Sequence, residues 1–447
     1  MIDRAGVSAA DEPWPAAGHA WFVVIVLALA NAVSFVDRLI LSLLVPDLKS
    51  DLLLSDTQIS LLQGFAFALF YCLMGLPIAR LADSKNRRTI IMTGVALWSL
   101  MTATCGLARG FWHIFIARVG VGVGEATLSP SAYSMLADYF PPKKLALPIG
   151  IFSAGVTGGM GLSLLAGAAA IQAVAAMGAV DVPIFGALGG WRLVFVFVGL
   201  LGILVIALMA FVREPKRRDG ARPGAVSLAE VRRHLLANWR LYFLVMGGYG
   251  ATSVSAYGIV TWTPAFYMRS FGLTPSEAGY LMGLVALVGG ISGAASGGLA
   301  ADWLARRGDD NAKLRVLLVS CIALWPVGVL APLMPSLAGA ASVVFFTFFF
   351  GTAASGPAGS FVQVVTPNRM RAQFGALYQL ALNLIGLGLG PTAVALLTDY
   401  AFRDEMMVRY AISTVAFLVN PFAILFVWLG FRLYPKVRHN LPAAAAI

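Results

Sequence analysis

Four ionisable side chains fall deep inside long apolar runs of this 447-residue chain: Asp37 and Arg38 in the first run, Arg118 and Glu125 in the fourth. A charged group in hydrocarbon is expensive, so it faces the interior of a helix bundle, takes a partner, and marks an ion or substrate pathway. Burial strengthens a carboxyl group's hold on its proton, and a neighbouring arginine weakens it. A carboxylate whose contact with a guanidinium is made and broken can therefore carry a proton. Two readings stay open: a static pair that holds two helices in register, or Asp37 and Glu125, one or both, as proton carriers. Arg118 and Glu125 share one helix face about two turns apart, roughly 10 Å. Gly122 lies on the same stripe and leaves room for a side chain, a water or a ligand.

The elements that must place these residues are membrane spans. The chain is 59% hydrophobic and only 12% charged, whereas a soluble chain is about 25% charged. Apolar runs between charged or Pro/Gly breaks predict an all-α membrane protein of twelve spans, roughly 20–45, 57–82, 89–108, 111–138, 146–172, 191–212, 240–268, 275–301, 314–334, 340–365, 372–398 and 409–432. The domains expected are a tail (1–19), a six-helix bundle (20–212), a linker (213–239), a second six-helix bundle (240–432) and a tail (433–447). Cys72, Cys105 and Cys321 sit in apolar stretches and read as small hydrophobes. No cleavable signal is visible, because Asp3, Arg4, Asp11 and Glu12 precede a full-length span.

Positive charge sets the expected orientation. Lys85, Arg87, Arg88, Lys143, Lys144, Arg306, Arg307, Lys313, Arg369, Arg371, Arg432, Lys436 and Arg438 all fall on one side, as does the linker with Arg213, Arg217, Arg218, Arg222, Arg232 and Arg233. The loops of the other side hold Lys49, Arg109, Arg269 and Arg403. The positive-inside rule then makes both termini and the linker cytoplasmic. The net charge of +11 belongs to the membrane face and does not call for nucleic acid. Span 1 runs outward and sets Asp37 roughly 25 Å along its axis; span 4 runs inward and sets Arg118 at a similar depth. The two heads are expected to be neighbours that offset each other's burial. Arg38 points about 100° away from Asp37. It either faces the central cavity and attracts an anionic group, or snorkels to the outer interface.

The pattern Asp-x-x-x-Arg-Arg occurs twice, as Asp83, Arg87 and Arg88 and again as Asp302, Arg306 and Arg307, each time after the second span of a half. Such repetition indicates an internally duplicated carrier. The two copies are expected to form a cytoplasmic latch of ion pairs and helix-end contacts. In the linker, Ser227 and Glu230 form a capping box ahead of Val231, Leu235 and Leu236, which predicts a short surface helix. Its Arg232, Arg233 and His234 could rest on anionic headgroups, or the helix could be only a tether.

With these loops, the Arg118-Val-Gly-Val-Gly122-Val-Gly124-Glu125-Ala126 stretch and the Gly190-Trp191-Arg192 entry to span 6, the sequence resembles the major facilitator superfamily. Val36-Asp37-Arg38 together with Gly-x-Gly-Glu-Ala is similar to the Spinster branch and its bacterial relatives. The resemblance implies two pseudo-symmetric six-helix bundles and a bacterial inner membrane. It also implies a substrate of the lysolipid or sphingosine-phosphate kind. The Gly-rich stretch Gly150 to Gly159 resembles the span-5 motif of superfamily antiporters but lacks its proline, so the direction of coupling stays open.

In the second half, Tyr257, Thr261, Trp262, Ser355, Gln363, Tyr378, Gln379 and Asn383 are candidates to line a cavity. Asn383 has the alternative of interhelical bonding, and Trp262 that of an interfacial anchor. No ionisable residue lies at mid-depth there. Arg38 or Arg118 would hold an anionic head, with Glu125 beside them in the substrate site, while apolar side chains take the rest. The expected partners are an amphiphilic or organic anion, H⁺ and membrane lipids, with the chain a monomer. No nucleotide loop, metal cluster or nucleophile–base arrangement is present, so neither an enzyme nor a cofactor is expected.

Overall fold

The computed structural model describes residues 14–141, 144–182, 186–217, 228–367 and 370–437. Lys143, Arg218, Arg222, Ser227, Arg369 and Arg438, with most of both tails, lie outside the described residues. In the first half, α1 is Ala17–Leu43 and α2, a short outer helix, is Val45–Leu52. The second rod joins α3 (Asp56–Ser60) to α4 (Ala66–Ser84) through a π turn at Leu61–Phe65. The others are α5 (Arg87–Cys105), α6 (Phe111–Glu125), α7 (Leu128–Tyr139), α8 (Ala146–Met177) and α9 (Trp191–Ala210). The linker carries α10 (Leu228–Ala237). In the second half follow α11 (Trp239–Phe271), α12 (Pro275–Arg306), α13 (Ala312–Leu330) and α14 (Leu337–Val365). The eleventh rod joins α15 (Arg371–Ala381) to α16 (Gly388–Leu396) through a π turn at Leu382–Leu387 and ends in another at Leu397–Phe402. The last helix is α17 (Val408–Val437).

Ten of these rods are long and apolar enough to cross a membrane; α5 and the broken α6–α7 rod complete the twelve. The break has a local cause. Pro130, at the third position of α7, has no N–H to return to the preceding turn, and Thr127 turns its hydroxyl onto the Gly124 carbonyl at 2.8 Å. Glu125 therefore ends α6 at a chain discontinuity. Capping boxes begin α3 (Ser55 with Gln58) and α12 (Thr274 with Glu277). A feature absent from the twelve-span expectation is the antiparallel hairpin of β1 (Val180–Val182) and β2 (Gly186–Leu188) between α8 and α9.

Small residues let the rods approach closely. A Cβ on Gly64 would lie 2.2 Å from the Leu387 carbonyl oxygen, and one on Gly283 would lie 2.9 Å from that of Gly161. The glycines of the span-4 stretch serve the same end. Gly122 packs on the Phe67 carbonyl and Gly124 on Trp98, so the room expected beside Gly122 is filled by the backbone of α4.

The apolar core divides in a way that reveals the state of the protein. One cluster draws on both halves, with Leu41, Leu44 and Ile59 beside Trp262, Phe266, Met282 and Val394. The other two belong mainly to one half each: Val24, Trp98 and Met135 in the first, Leu241, Leu317 and Phe361 in the second. The shared cluster lies at the end bearing the Lys/Arg-poor loops, called the outer end here. The halves are sealed there and separately cored at the other end.

Candidate functional site

Arg38 and Glu125 form the central ion pair. Arg38 Nε donates to Glu125 Oε2 at 2.6 Å, and Nη2 lies 2.6 Å from the same oxygen. The guanidinium also sits over three rings, Phe67 at 4.6 Å, Phe35 at 4.9 Å and Tyr71 at 5.1 Å. Its side chain is 15% exposed and that of Glu125 1%, so the guanidinium is held inward by its pair and does not snorkel to the outer interface, while a small part of it stays open. Carboxylate and rings cover the rest and offset the cost of desolvating the cation. Glu125 Oε1 has no hydrogen-bond partner.

Asp37 and Arg118 are neighbours, but their heads do not pair as expected. Arg118 Nη1 donates to the main-chain carbonyl of Asp37 at 2.9 Å and Nε to that of Leu62 at 3.2 Å. Leu62 belongs to the π turn of the second rod, whose widened ladder alters which carbonyls face α6; π turns recur at functional sites. Both Asp37 carboxyl oxygens, Arg118 Nη2 and the nearby Thr102 hydroxyl are buried without partners. This constellation can hold a water or a proton, since buried polar groups left unpaired are costly.

Across the junction stands Tyr257 of α11. It packs on the first half's core, its ring meets Gly386, and it interacts electrostatically with Arg38 and Tyr71. It is the predicted second-half residue that the fold brings to the ion pair. Others are differently employed. The Thr261 hydroxyl bonds back to the Tyr257 carbonyl at 2.7 Å. Trp262 is fully buried and donates Nε1 to the Pro391 carbonyl at 2.9 Å, so it ties α11 to α16 and is not an interfacial anchor. Tyr378 is buried, stacked on Tyr249 at 6.0 Å, its hydroxyl unpartnered. Asn383, half-buried in a π turn, donates to the Gln379 carbonyl at 2.9 Å.

Of the residues expected in a cytoplasmic latch, the arginines of the first copy are engaged within the first half and its linker exit. Arg87 is 1% exposed. It pairs with Asp138 and with Glu214 at 2.7 Å, and donates Nη2 to the Pro215 carbonyl at 3.0 Å. Arg88 caps the end of α9 through the Met209 and Ala210 carbonyls at 3.1 and 2.8 Å. Asp83 is exposed and takes no part, because the carboxylates that reach Arg87 come from α7 and the linker. In the second copy, Asp302, Arg306 and Arg307 are exposed, and Arg307 lies over the Trp303 ring at 3.8 Å. The two copies are not equivalent here.

Sequence reasoning missed the outer network. Asp56 of α3, with no exposed side-chain surface, receives Arg269 Nη1 and Nη2 at 2.8 and 2.7 Å and Lys49 Nζ at 2.7 Å. Lys49 also meets Glu405 at 2.6 Å. Asp399 accepts the Thr57 N–H and hydroxyl, both at 2.6 Å. Arg269, Asp399 and Glu405 belong to the second half, so this network bolts the halves together at the outer end. The only sequence signal was charge in otherwise poor outer loops.

Two six-helix halves, joined outside and meeting at mid-depth around buried charges, define a membrane transporter. A family model described as Major Facilitator Superfamily matches residues 27–391, and the chain belongs to that superfamily. It is 29% identical over 386 residues, 86% of each chain, to an MFS-type efflux pump of Mycolicibacterium smegmatis. It is 27% identical over 302 residues to Protein spinster homolog 1 of Homo sapiens, spanning 63% of this chain and 54% of the human one. A crystal structure of a bacterial homologue of the human lysosomal transporter Spinster, inward-facing and unoccupied, aligns with a TM-score of 0.79 at 28% identity, covering 94% of this chain and 99% of that one. The fold is Spinster-like.

Proposed function

We propose that this transporter is a secondary carrier of an amphiphilic anion of the lysolipid kind, working by alternating access, with proton exchange at Glu125 and Asp37 as the coupling step. The observation that carries the reading is the Arg38–Glu125 pair, buried beside a tyrosine of the opposite half. Protonating Glu125 removes the counter-charge of Arg38, which then seeks another anion. An anionic headgroup supplies one, and an arriving headgroup releases Glu125 to take a proton. Charge asymmetry supports an amphiphile, as does the likeness to proteins named Spinster. The relative named an efflux pump supports outward movement and favours a second reading, a carrier of small organic anions or drugs. An uncoupled scramblase or transporter-like receptor would need no proton step.

Reconstitution into liposomes with an imposed pH gradient tests the coupling. Wild-type movement of a lysophospholipid should follow the gradient, and Glu125→Gln should keep exchange but lose that response. Gradient-driven uptake left intact in both Glu125→Gln and Asp37→Asn would remove the proton step. Arg38→Ala alone strands Glu125, so the headgroup role is read from Arg38→Gln with Glu125→Gln, which neutralises the pair. That double variant should weaken an anionic amphiphile about tenfold more than a neutral analogue, since a charge-assisted contact contributes roughly 1.5–3 kcal/mol. Equal weakening of both ligands would remove Arg38 from the headgroup site.

A further inference from the structure

The linker helix α10 is fixed by one face. Val231 and Leu235 pack on the inner core of the second half. His234 meets the Tyr242 hydroxyl at 3.1 Å and the Phe374 ring at 5.5 Å. The opposite face is left with Arg232, Arg233 and Leu236 exposed, and the exposed stripe continues into α11 as Trp239, Arg240 and Phe243. Arg240 lies over the Trp239 ring at 5.7 Å. A ring ladder then descends from Trp239 to Phe243 at 6.4 Å and to Phe426 of α17 at 5.5 Å. Cations stand at the rim and aromatic rings run below them.

Among the described residues, Arg232 and Arg233 make no hydrogen bond or ion pair. The acid of α10, Glu230, already has a partner, and the next along the chain is Glu277. The loop after α12 offers a contrast. There Arg306 and Arg307 are interleaved with Asp302, Asp309 and Asp310, and Asp309 binds Arg315 at 2.5 Å. Ordinary bias of positive charge toward one membrane face accounts for that mixed loop. It does not account for three arginines set over an aromatic ladder with a single acid, Glu230, on their helices.

We propose that the α10–α11 corner is a docking site for the headgroup of an anionic phospholipid, its phosphate among Arg232, Arg233 and Arg240 and its acyl chains along Trp239, Phe243 and Phe426. The site lies outside the transport pathway and does not depend on what is carried. Binding of lipid there would clamp the linker helix, and with it the inner ends of α11, α14 and α15, against the membrane.

The test is native mass spectrometry of the purified full-length protein, titrated with phosphatidylglycerol and with phosphatidylcholine of the same chains. Each arginine near an anionic surface is worth about fivefold in affinity. R232Q/R233Q/R240Q should lose phosphatidylglycerol by about a hundredfold while phosphatidylcholine is unchanged, and R306Q/R307Q should behave as wild type. Trp239→Ala should weaken lipid without changing its salt dependence. Millimolar inorganic phosphate should not displace the lipid; if it does, the site takes free phosphate and the lipid assignment fails. Equal retention of the two lipids, or equal losses in the two arginine variants, would overturn the proposal.

Discussion

Asp56 is where the outer seal can be weakened by a single atom exchange. Its carboxylate receives three charged donors between 2.7 and 2.8 Å. Two of them come from Arg269, which is 213 residues away in the other half. Removing one partner of a buried ion pair costs about 3–5 kcal/mol, because the other charge is left stranded. In Asp56→Asn the residual cost is smaller. Glu405 still faces Lys49 and, at 3.5 Å, Arg269, and Glu405 is 56% exposed and reaches water. A net loss of about 2 kcal/mol is reasonable. It falls on the outer-closed state alone, since separating the halves lets water solvate Lys49 and Arg269. The ratio of outer-open to outer-closed protein should then rise about thirtyfold.

A buried serine reports that ratio. Ser60 lies one turn beyond Thr57, whose contacts to Asp399 face the second half, and it is fully buried. With Cys72, Cys105 and Cys321 replaced, Ser60→Cys should label with an impermeant maleimide tens of times faster in the Asp56→Asn background. Asp51→Asn is the control. It takes the charge out of the contacts to Arg192 and Trp191 at 2.8 and 3.0 Å, which lie within one half, so labelling should not change. If Asp56→Asn labels at the wild-type rate while remaining folded, the network does not hold the outer end shut.

Arg87→Ala should lower thermal stability by about 3–5 kcal/mol, because Asp138 and Glu214 lose a buried cation, whereas exposed Asp83→Ala should stay within about 0.5 kcal/mol by the same melting curve. Gly64→Ala drives a methyl group into the Leu387 carbonyl, so it should part the second and eleventh rods and speed labelling of Ser60→Cys. Burial holds the His234 imidazole below its usual 6.5, partly offset by its bond toward the Val365 carbonyl. A base with a lowered folded-state value adds stability that is complete above 6.5 and lost as pH falls below it. The protection of α10 amides against exchange, taken relative to the intrinsic rate at each pH, should therefore fall below pH 6.5, and His234→Phe should abolish that dependence.

How much of this was legible follows from what each physical rule constrains. Hydrocarbon allows only helices to span it here, and it sets their length, so the twelve rods were readable to within a few residues. The larger departures lie at ends projecting past the membrane, where α8 reaches Met177, α12 Arg306 and α17 Val437. The cost of buried charge singled out Asp37, Arg38, Arg118 and Glu125, and the structure brings all four together. Their pairing was not legible. Helical periodicity places a side chain on its own helix but does not set the rotation of its neighbour, and each π turn adds about one residue to the phase. Leu61–Phe65 and Leu382–Leu387 interrupt the two rods that meet across the halves. Asp56 and Arg269, far apart in the chain, could be matched only in three dimensions.

The charge clusters fall into two kinds, and the distinction constrains the transport cycle. Arg87 with Asp138 and Glu214 lies within the first half and its linker exit, so it survives any rigid rocking of one half against the other. Asp56 with Arg269 crosses between halves and must break when the outer end opens. The Arg38–Glu125 pair is internal to the first half, yet Arg38 interacts electrostatically with Tyr257 of the second. It can thus pass its protonation state to the moving partner without being broken by the movement. If pair and outer network bias one equilibrium, their effects on Ser60→Cys labelling should multiply, because distant sites add in free energy. Glu125→Gln, which imitates the protonated pair, should change the labelling rate by the same factor with Asp56 intact as with Asp56→Asn. A factor that vanishes in one background would mean that protonation acts on a different step from outer opening.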